Sequence, residues 1–264
     1  MAGAPSISAA APPSIGCTIR WCDATVEVRC STRADGDFHV EQDLPTLRAR
    51  RRAFVDLPWS QPDEVHGIDV LEVAAPGEHD LAVADALVTR VPGTVLGIWV
   101  GDCAPVAFVS ASGRVGGAHA GWKGLAAGVL ERTVAALRGT DRGRPFDATD
   151  IVEAADDVVA VLGPCIHPCC YEFGAADLAS IADRFGPSVI ATTRAGAPAL
   201  DVPAAVRAAL QAVGVPVVAQ LGGCTACDAT RWFSHRARAE RGRQMMAIWL
   251  APDEPAAERA EARR

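Results

Sequence analysis

Reactive side chains are concentrated in a few short segments that also contain glycine or proline. These segments are EVHG (64–67), GDCAPV (101–106), HAGWKGL (119–125) and GPCIHPCCYEFG (163–174). A glycine beside a reactive side chain is typical of a turn or of backbone that approaches a ligand closely. Thiolates and imidazoles are suitable zinc ligands, and a catalytic zinc usually has three protein ligands and one open position. These residue types favour a zinc site formed by His66, Cys103 and His119.

The spacing of these three residues leaves other interpretations open. Cys103 could be a buried thiol that packs as a small apolar side chain, unrelated to either histidine. A cysteine nucleophile, Cys103 or Cys169, activated by a nearby histidine, is a second alternative. A four-thiolate structural zinc is a third, because the C-x-x-C at 224–227 can pair with the C-I-H-P-C segment. The candidate ligands for it are Cys165, Cys169, Cys170, Cys224 and Cys227.

Three cationic side chains are candidates for binding an anionic group of a substrate: Arg33, Lys123 and Arg243. Lys123 stands out because it precedes a predicted helix, and the amides and dipole of a helix N-terminus favour an anion such as phosphate. For the two arginines, solvated surface charge is an equal alternative. Trp122 and Phe233 could stack on a base, although aromatic residues in an apolar chain more often pack in the core.

The elements that must position these residues predict a mixed α/β class. Short apolar runs predict strands at 25–30, 95–100, 105–110, 158–163, 215–220 and 245–250. An apolar stripe predicts a helix over 124–138, which packs against the sheet. Further helices are predicted at 175–185, closed by Gly186, and at 203–213, opened by Pro203 and closed by Gly214. The polar stretch at 139–150 predicts a surface loop.

Length and composition indicate one globular domain. The chain has 264 residues, and we expect a flexible leader over 1–14, a domain over 15–251 and a flexible tail over 252–264. The net charge of -7 argues against nucleic acid as a partner, and no apolar run is long enough to cross a membrane. With nine cysteines and no signal-peptide pattern, we expect a cytoplasmic protein with reduced thiols. The sequence makes no prediction about oligomeric state.

Taken together, the motifs resemble the YfiH-like, laccase-domain purine nucleoside phosphorylase family, also called the multicopper polyphenol oxidoreductase type. The resemblance covers nearly the whole chain between its two ends. It is carried by STR (31–33), VHG (65–67), DALVT (85–89), GDCAPV, HAGWKGL, GPCIHPCCYEFG and CTACDATRWFSHRARAERGRQ (224–244).

This resemblance implies a single-domain, four-layer α/β/β/α sandwich with mixed sheets. It implies zinc on the histidine of VHG, the cysteine of GDCAPV and the histidine of HAGW, which are His66, Cys103 and His119 here. It also implies phosphorolysis of adenosine, inosine and methylthioadenosine, and deamination of adenosine. The expected substrates are therefore purine nucleosides and phosphate.

Asp102, Cys103 and Lys123 are the expected catalytic residues. For deamination, zinc would lower the pKa of water for attack on the purine C6, with Asp102 as the proton shuttle. For phosphorolysis, Lys123 and Arg33 would orient phosphate for attack on C1′.

The alternative functions are a cysteine-type hydrolase and a peptidoglycan-editing factor. A copper polyphenol oxidase ranks lower, because a multicopper centre needs more imidazoles than six scattered histidines can supply.

Three positions depart from the family pattern. Glu64 stands where the family usually has Gln before VHG, so it either adds negative charge near the metal or faces solvent. Lys123 stands where HAGWRG usually has Arg, which replaces a planar, bidentate group with a point charge. The glycine-rich stretch that usually follows the N-terminal motif is hard to find in ADGDFHVEQDLPTL. These departures bear on substrate preference more than on the metal.

Overall fold

The computed structural model describes residues 3–10, 15–140 and 157–252. The strands are β1 (Ser6–Ala9), β2 (Ile15–Trp21), β3 (Ala24–Cys30), β4 (Trp59–Ser60), β5 (Val70–Val73), β6 (Ala86–Thr89), β7 (Val95–Val100), β8 (Ala104–Ser110), β9 (Val115–Ala120), β10 (Val158–Leu162), β11 (Ile190–Thr192), β12 (Pro198–Leu200), β13 (Val217–Gln220) and β14 (Gln244–Leu250). The helices are α1 (Leu44–Phe54), α2 (Trp122–Ala127), α3 (Val129–Arg138), α4 (Ala175–Phe185), α5 (Val202–Ala212) and α6 (His235–Arg238).

Two six-stranded mixed sheets form the centre of the described structure. The first sheet has the strand order β1-β2-β3-β14-β7-β4, and the second has the order β13-β10-β8-β9-β6-β5. Most neighbouring strands are antiparallel, whereas β4 with β7, β10 with β13 and β5 with β6 are parallel. Strands β11 and β12 pair separately. Successive strands β7 and β8 belong to different sheets, so the turn at 101–103 passes from one sheet to the other.

Alternation along the strands produces three apolar clusters and four layers. In β14, Met246 and Ile248 point into the space between the two sheets, whereas Met245 and Trp249 point to the outer face that α1 covers. In β8, Phe108 points to the opposite outer face, where it packs with the helices α2 to α5. Because side chains alternate between the faces of a strand, each sheet packs on both sides. The predicted four-layer α/β/β/α sandwich is confirmed.

A glycine in β9 allows the two sheets to approach each other closely. A Cβ added to Gly117 in β9 would lie 2.9 Å from atoms of both Ile98 and Ile248 on the first sheet. Such contacts are tighter than real Cβ atoms adopt, so a larger residue here would force both isoleucine side chains to move. His119, two residues further along β9, lies on the same face of this strand.

The helix predicted over 124–138 is wrong in one respect, because the structure has two helices there. Gly128 adopts a left-handed conformation with φ of 102°, and its N–H closes α2 by donating to the carbonyls of Gly124 and Leu125. The same residue then begins α3. A left-handed residue cannot continue a right-handed helix, and glycine adopts this conformation without a steric penalty.

The chain ends differ in part from expectation. Ser6–Ala9 form β1, which pairs with β2, within the range for which the sequence predicts a flexible leader. Most of the loop predicted at 139–150, and the tail beyond residue 252, lie outside the described residues. Among the described helices, none has the length and apolar composition needed to cross a bilayer.

Candidate active site

His66, Cys103 and His119 come together at one end of the second sheet. His66 lies in the loop before β5, Cys103 directly precedes β8, and His119 lies near the end of the neighbouring β9. One ligand atom from each residue lies within 4.8 Å of the other two, and Cys103 Sγ is 3.7 Å from His66 Nε2. The structure therefore groups the three predicted ligands, which are separated by 16 to 53 residues in the sequence.

Asp85 holds two of these ligands in place. Its carboxylate accepts hydrogen bonds from the backbone amides of Val65 (3.3 Å), His66 (2.9 Å) and Gly67 (2.6 Å). It also accepts from His119 Nδ1 at 2.8 Å, which leaves Nε2 of that ring to bind a metal. Burial raises the pKa of Asp85, but the hydrogen bonds from His119 and the amides outweigh it and lower the pKa. Sequence reasoning missed this role, although Asp85 begins the DALVT motif.

Glu64 is buried beside His119. Its Oε1 accepts the N–H of Trp99 at 2.9 Å, and its Oε2 lies 3.5 Å from His119 Nδ1. Burial raises the pKa of Glu64 well above its usual range, although His119 and the Trp99 amide act in the opposite direction. Glu64, which departs from the family pattern, therefore lies near the candidate metal ligands and does not face solvent.

The thiol of Cys103 has an unusually low pKa. Burial raises the pKa, but the charges and hydrogen bonds of His119 and His66 have the larger combined effect and lower it from 9.0 to about 6. Cys103 is therefore mainly a thiolate at neutral pH. A thiolate is the form that binds metal and the form that acts as a nucleophile.

The space between the three candidate ligands fits a metal ion. A Cβ added to Gly121 would lie 2.5 Å from Cδ2 of His66 and 3.3 Å from Sγ of Cys103. Glycine here keeps that space clear, and two imidazoles with one thiolate are a donor set suited to zinc. His66 has φ of 62°, a conformation rare for residues other than glycine and often associated with functional sites.

A cavity of about 380 Å³ opens beside the candidate ligands. The second sheet contributes His119, and the first sheet contributes Trp99 and Val100 of β7. The other residues that line the cavity come mainly from loops: Glu64, His66, Gly101, Asp102, Cys103, Trp122, Tyr171, His235, Arg236 and Arg243. This volume is within the range of sites that bind small molecules.

Two arginines line this cavity, and the sequence predicted one of them. Arg243 lies against Gly101 and anchors its Nη1 on the carbonyls of Glu240, Arg241 and Gly242. The second is Arg236, whose guanidinium lies 4.6 Å from the centre of the Tyr171 ring. Arg236 could not be singled out from the sequence, because RARAERGR contains several arginines with no difference in pattern between them.

Arg33, Phe233 and Lys123 do not line the cavity. Arg33 donates to the carbonyls of Ala229 and Trp232 and to Glu240, and it lies over the ring of Phe233. Arg33 and Phe233 thus contact each other outside the cavity. Lys123 is exposed on α2, with its ammonium group 5.7 Å from the Trp122 ring. Trp122, the other aromatic candidate, does line the cavity.

Asp102 lines the cavity, but both of its carboxylate oxygens are engaged. Oδ1 accepts from Thr225 at 2.6 Å and from Ser234 at 2.7 Å, and Oδ2 accepts from the Arg236 amide at 2.7 Å. A proton shuttle needs an oxygen free to meet the reacting group. This geometry favours a positioning role over the predicted shuttle.

Comparison with known proteins gives consistent results. The family model described as multi-copper polyphenol oxidoreductase laccase matches residues 30–251. The chain is 37% identical to a purine nucleoside phosphorylase of Xylella fastidiosa strain Temecula1, over 71% of this chain and 70% of that protein. It is 35% identical to one of Pseudomonas aeruginosa, over 80% and 84% respectively.

Solved structures have a similar fold. A Neisseria meningitidis protein of family DUF152 superposes with a TM-score of 0.71 and 26% identity, over 86% of this chain and 95% of that one. The YfiH protein of Bacillus licheniformis superposes with a TM-score of 0.70 and 25% identity, over 85% and 92%.

Asp85→Asn should weaken metal binding roughly 10-fold to 100-fold, the usual effect of losing a carboxylate behind a metal-bound histidine. In the unmutated protein, the backbone N–H groups of residues 65–67 donate to the carboxylate oxygens of Asp85. The asparagine side chain replaces one of these oxygens with an NH₂ group, which cannot accept their hydrogen bonds. Isothermal titration of metal-free protein with zinc measures the change. Asp43→Asn is the matched control, because Asp43 caps α1 at Thr46 and asparagine caps equally well. Equal zinc affinity in both variants would show that Asp85 does not support the site.

Alkylation of Cys103 in metal-free protein should increase with pH through a midpoint near 6, because the thiolate is the reactive form. Iodoacetamide labelling followed by peptide mass spectrometry measures the midpoint for this residue alone. His119→Ala removes the largest cause of the lowered pKa, so its midpoint should move upward. A midpoint near 9 in the unmutated protein would contradict this assignment.

Proposed function

The chain belongs to the multi-copper polyphenol oxidoreductase laccase family, and we propose that it is a zinc-dependent purine nucleoside phosphorylase acting on adenosine, inosine and methylthioadenosine. We propose adenosine deamination as a second activity of the same site. The observation that carries the proposal is a single cavity that contains the three candidate ligands, two arginines and several aromatic side chains. Relatives at 33–37% identity are named purine nucleoside phosphorylases, which supports the same reaction.

The cavity offers complementary groups for both substrates of phosphorolysis. Arg236 and Arg243 supply guanidinium groups, whose planar donors suit a phosphate dianion. They replace Arg33 and Lys123, which do not line the cavity, in this role. Trp122 and Tyr171 supply aromatic surface for a purine ring. Tyr171 has its pKa raised to about 12, mainly by burial, so its hydroxyl remains a hydrogen-bond donor at neutral pH.

In phosphorolysis, a phosphate oxygen forms a bond to C1′ of the ribose while the bond from C1′ to the purine nitrogen breaks. The electron pair of that bond leaves with the purine, which takes up a proton, and the products are the free base and ribose 1-phosphate. The task of the protein is to orient phosphate and to stabilise the charge that develops. Asp102 contributes by fixing the backbone of Arg236.

His66, Cys103 and His119 would hold the zinc ion. Zinc bound there would supply a Lewis acid and would lower the pKa of water, as deamination at the purine C6 requires. Among the described residues, the two clusters with metal-ligand spacing contain only two histidines between them. A multicopper centre needs more imidazoles, so this donor set supports zinc over copper.

A cysteine-type hydrolase is the second candidate, and the low pKa of Cys103 supports it. The Sγ of this thiolate lies 3.7 Å from His66 Nε2, the arrangement of a nucleophile beside a base. The two proposals differ in what the metal does. Zinc bound to Cys103 would prevent its sulfur from acting as a nucleophile. Added zinc would therefore inhibit hydrolase activity, whereas phosphorylase activity would require it.

Charge and thiol content support small molecules as partners and a cytoplasmic location. The net charge of -7 does not favour binding to nucleic acid or to an anionic membrane. The nine cysteines are free thiols in the structure, and free thiols persist in a reducing compartment.

Incubation of purified protein with adenosine should yield adenine and ribose 1-phosphate only when phosphate is present. Inosine should form with or without phosphate. Chromatography identifies the products, and metal analysis of the same sample gives the zinc content. Cys103→Ala should lose both activities and the zinc of this site, whereas Cys22→Ala, which changes an exposed thiol in the turn after β2, should keep both. Turnover at the normal rate in Cys103→Ala, or a zinc-loaded protein that makes neither product, would refute the proposal.

A further inference from the structure

A second group of thiols converges away from the cavity. Cys169 and Cys170 lie in the 3-10 turn Pro168–Cys170, and Cys224 and Cys227 lie in the loop after β13. One ligand atom from each lies within 4.8 Å of all the others. Cys165, which the sequence offered as a ligand, is not in this group. It is fully buried in the apolar cluster under the helices, so the site differs in composition from the one first considered.

The sulfur–sulfur distances match those around a single tetrahedral ion. The Sγ of Cys169 is 3.7 Å from that of Cys170, 3.9 Å from that of Cys224 and 3.5 Å from that of Cys227. Cys170 and Cys227 are also 3.5 Å apart. A tetrahedral zinc with Zn–S bonds of about 2.3 Å requires sulfur atoms about 3.8 Å apart. A disulfide would bring two sulfurs to about 2.05 Å and separate that pair from the rest.

The backbone around the thiols already has the turns that a metal site of this kind uses. The N–H of Cys227 donates to the carbonyl of Cys224 at 3.2 Å, which closes the C-x-x-C turn. The N–H of Cys170 donates to the carbonyl of His167 at 3.0 Å, which closes the other turn. The His167 N–H lies 3.4 Å from Sγ of Cys224, where it would stabilise a thiolate.

We propose that Cys169, Cys170, Cys224 and Cys227 bind one zinc ion in a closed structural site. Four protein thiolates complete a tetrahedral shell and leave no open position for a substrate, which distinguishes this site from the one at Cys103. Zinc has no redox chemistry of its own, so the ion would serve as a crosslink between the two loops.

Both joined loops lead directly to the cavity. Tyr171, which lines it, follows Cys170 in the chain. Thr225 follows Cys224 and donates its hydroxyl to Asp102, and its N–H donates to the carbonyl of Cys165. The Nη1 of Arg236 donates to the carbonyl of Glu172 at 2.7 Å, which links the loops again on the cavity side. The zinc would therefore stabilise the wall of the cavity from behind.

The test uses the full chain carrying Cys103→Ala, in which the site beside the cavity cannot hold its metal, so the result is independent of the proposed function. Expressed with zinc and purified under reducing conditions, this variant should contain about one zinc ion per chain by mass spectrometry. Adding Cys227→Ser, an exposed position, should remove that zinc. Adding Cys22→Ser, an equally exposed thiol in a turn, is the matched control and should keep it.

Spectroscopy and stability provide readouts that do not depend on turnover. Cobalt substituted into the Cys103→Ala variant should give the strong visible bands and thiolate charge-transfer absorption of a tetrahedral four-thiolate ion, and Cys227→Ser should abolish them. A chelator should lower the thermal midpoint of Cys103→Ala by several degrees and leave that of the double variant unchanged.

Four results would overturn the proposal. They are a zinc-free Cys103→Ala variant, full zinc retention after Cys227→Ser, iron in place of zinc, and a disulfide between two of the four cysteines in freshly reduced and repurified protein.

Discussion

The buried carboxylate of Asp85 is the interaction on which the arrangement of the candidate active site depends. It accepts hydrogen bonds from three consecutive amides, at Val65, His66 and Gly67, and from the ring of His119. One side chain thereby fixes the unusual backbone of His66 and the tautomer of His119. Charge-assisted hydrogen bonds to a fully buried carboxylate are strong, and removing the acceptor would leave four donors without a partner. The geometry of two of the three ligands follows from this one residue.

The same region concentrates ionisable groups at a depth where burial disfavours charge. Glu64, Asp85 and Cys103 all lie within 4.8 Å of the His119 ring, and the directions of their pKa shifts show which of them burial leaves protonated. The carboxylate of Asp85 and the thiolate of Cys103 are stabilised by imidazoles, whereas burial keeps the pKa of Glu64 high. Strongly perturbed pKa values that occur together in a cavity are typical of functional sites, and here they coincide with metal-ligand spacing.

The bounds of the strands with long apolar runs were predictable from the sequence, and those of the glycine-rich strand β9 were not. The runs at 95–100 and 245–250 correspond to β7 and to all but the first residue of β14, since continuous apolar stretches are typical of strands buried on both faces. The sequence places His119 at the end of a strand, but it gives no bounds for β9, VGGAHA, because the glycines and the histidine obscure the apolar pattern. Helix α1 was missed because it carries four arginines and few apolar residues.

The candidate ligands could be proposed from residue types and from the family resemblance, whereas only part of the cavity wall could. His66, Cys103 and His119 each lie in a motif, so the sequence singles them out. Arg236 and Tyr171 reach the cavity through loop conformations that depend on contacts between distant segments, such as that of Arg236 with Glu172. Arg33 and Lys123 lie in motifs but do not line the cavity, because Arg33 is paired with Glu240 and Lys123 faces solvent.

The site is divided between the two sheets, so the candidate metal ligands and part of the cavity wall lie on different elements. The candidate ligands and Asp85 belong to the second sheet and its loops, whereas Trp99, Val100 and the segment at Arg243 belong to the first. A substitution on the first sheet can reshape the cavity without moving a ligand. Trp99 and Val100 are therefore suitable positions for a laboratory search for altered substrate range, because they line the cavity and neither is a candidate ligand.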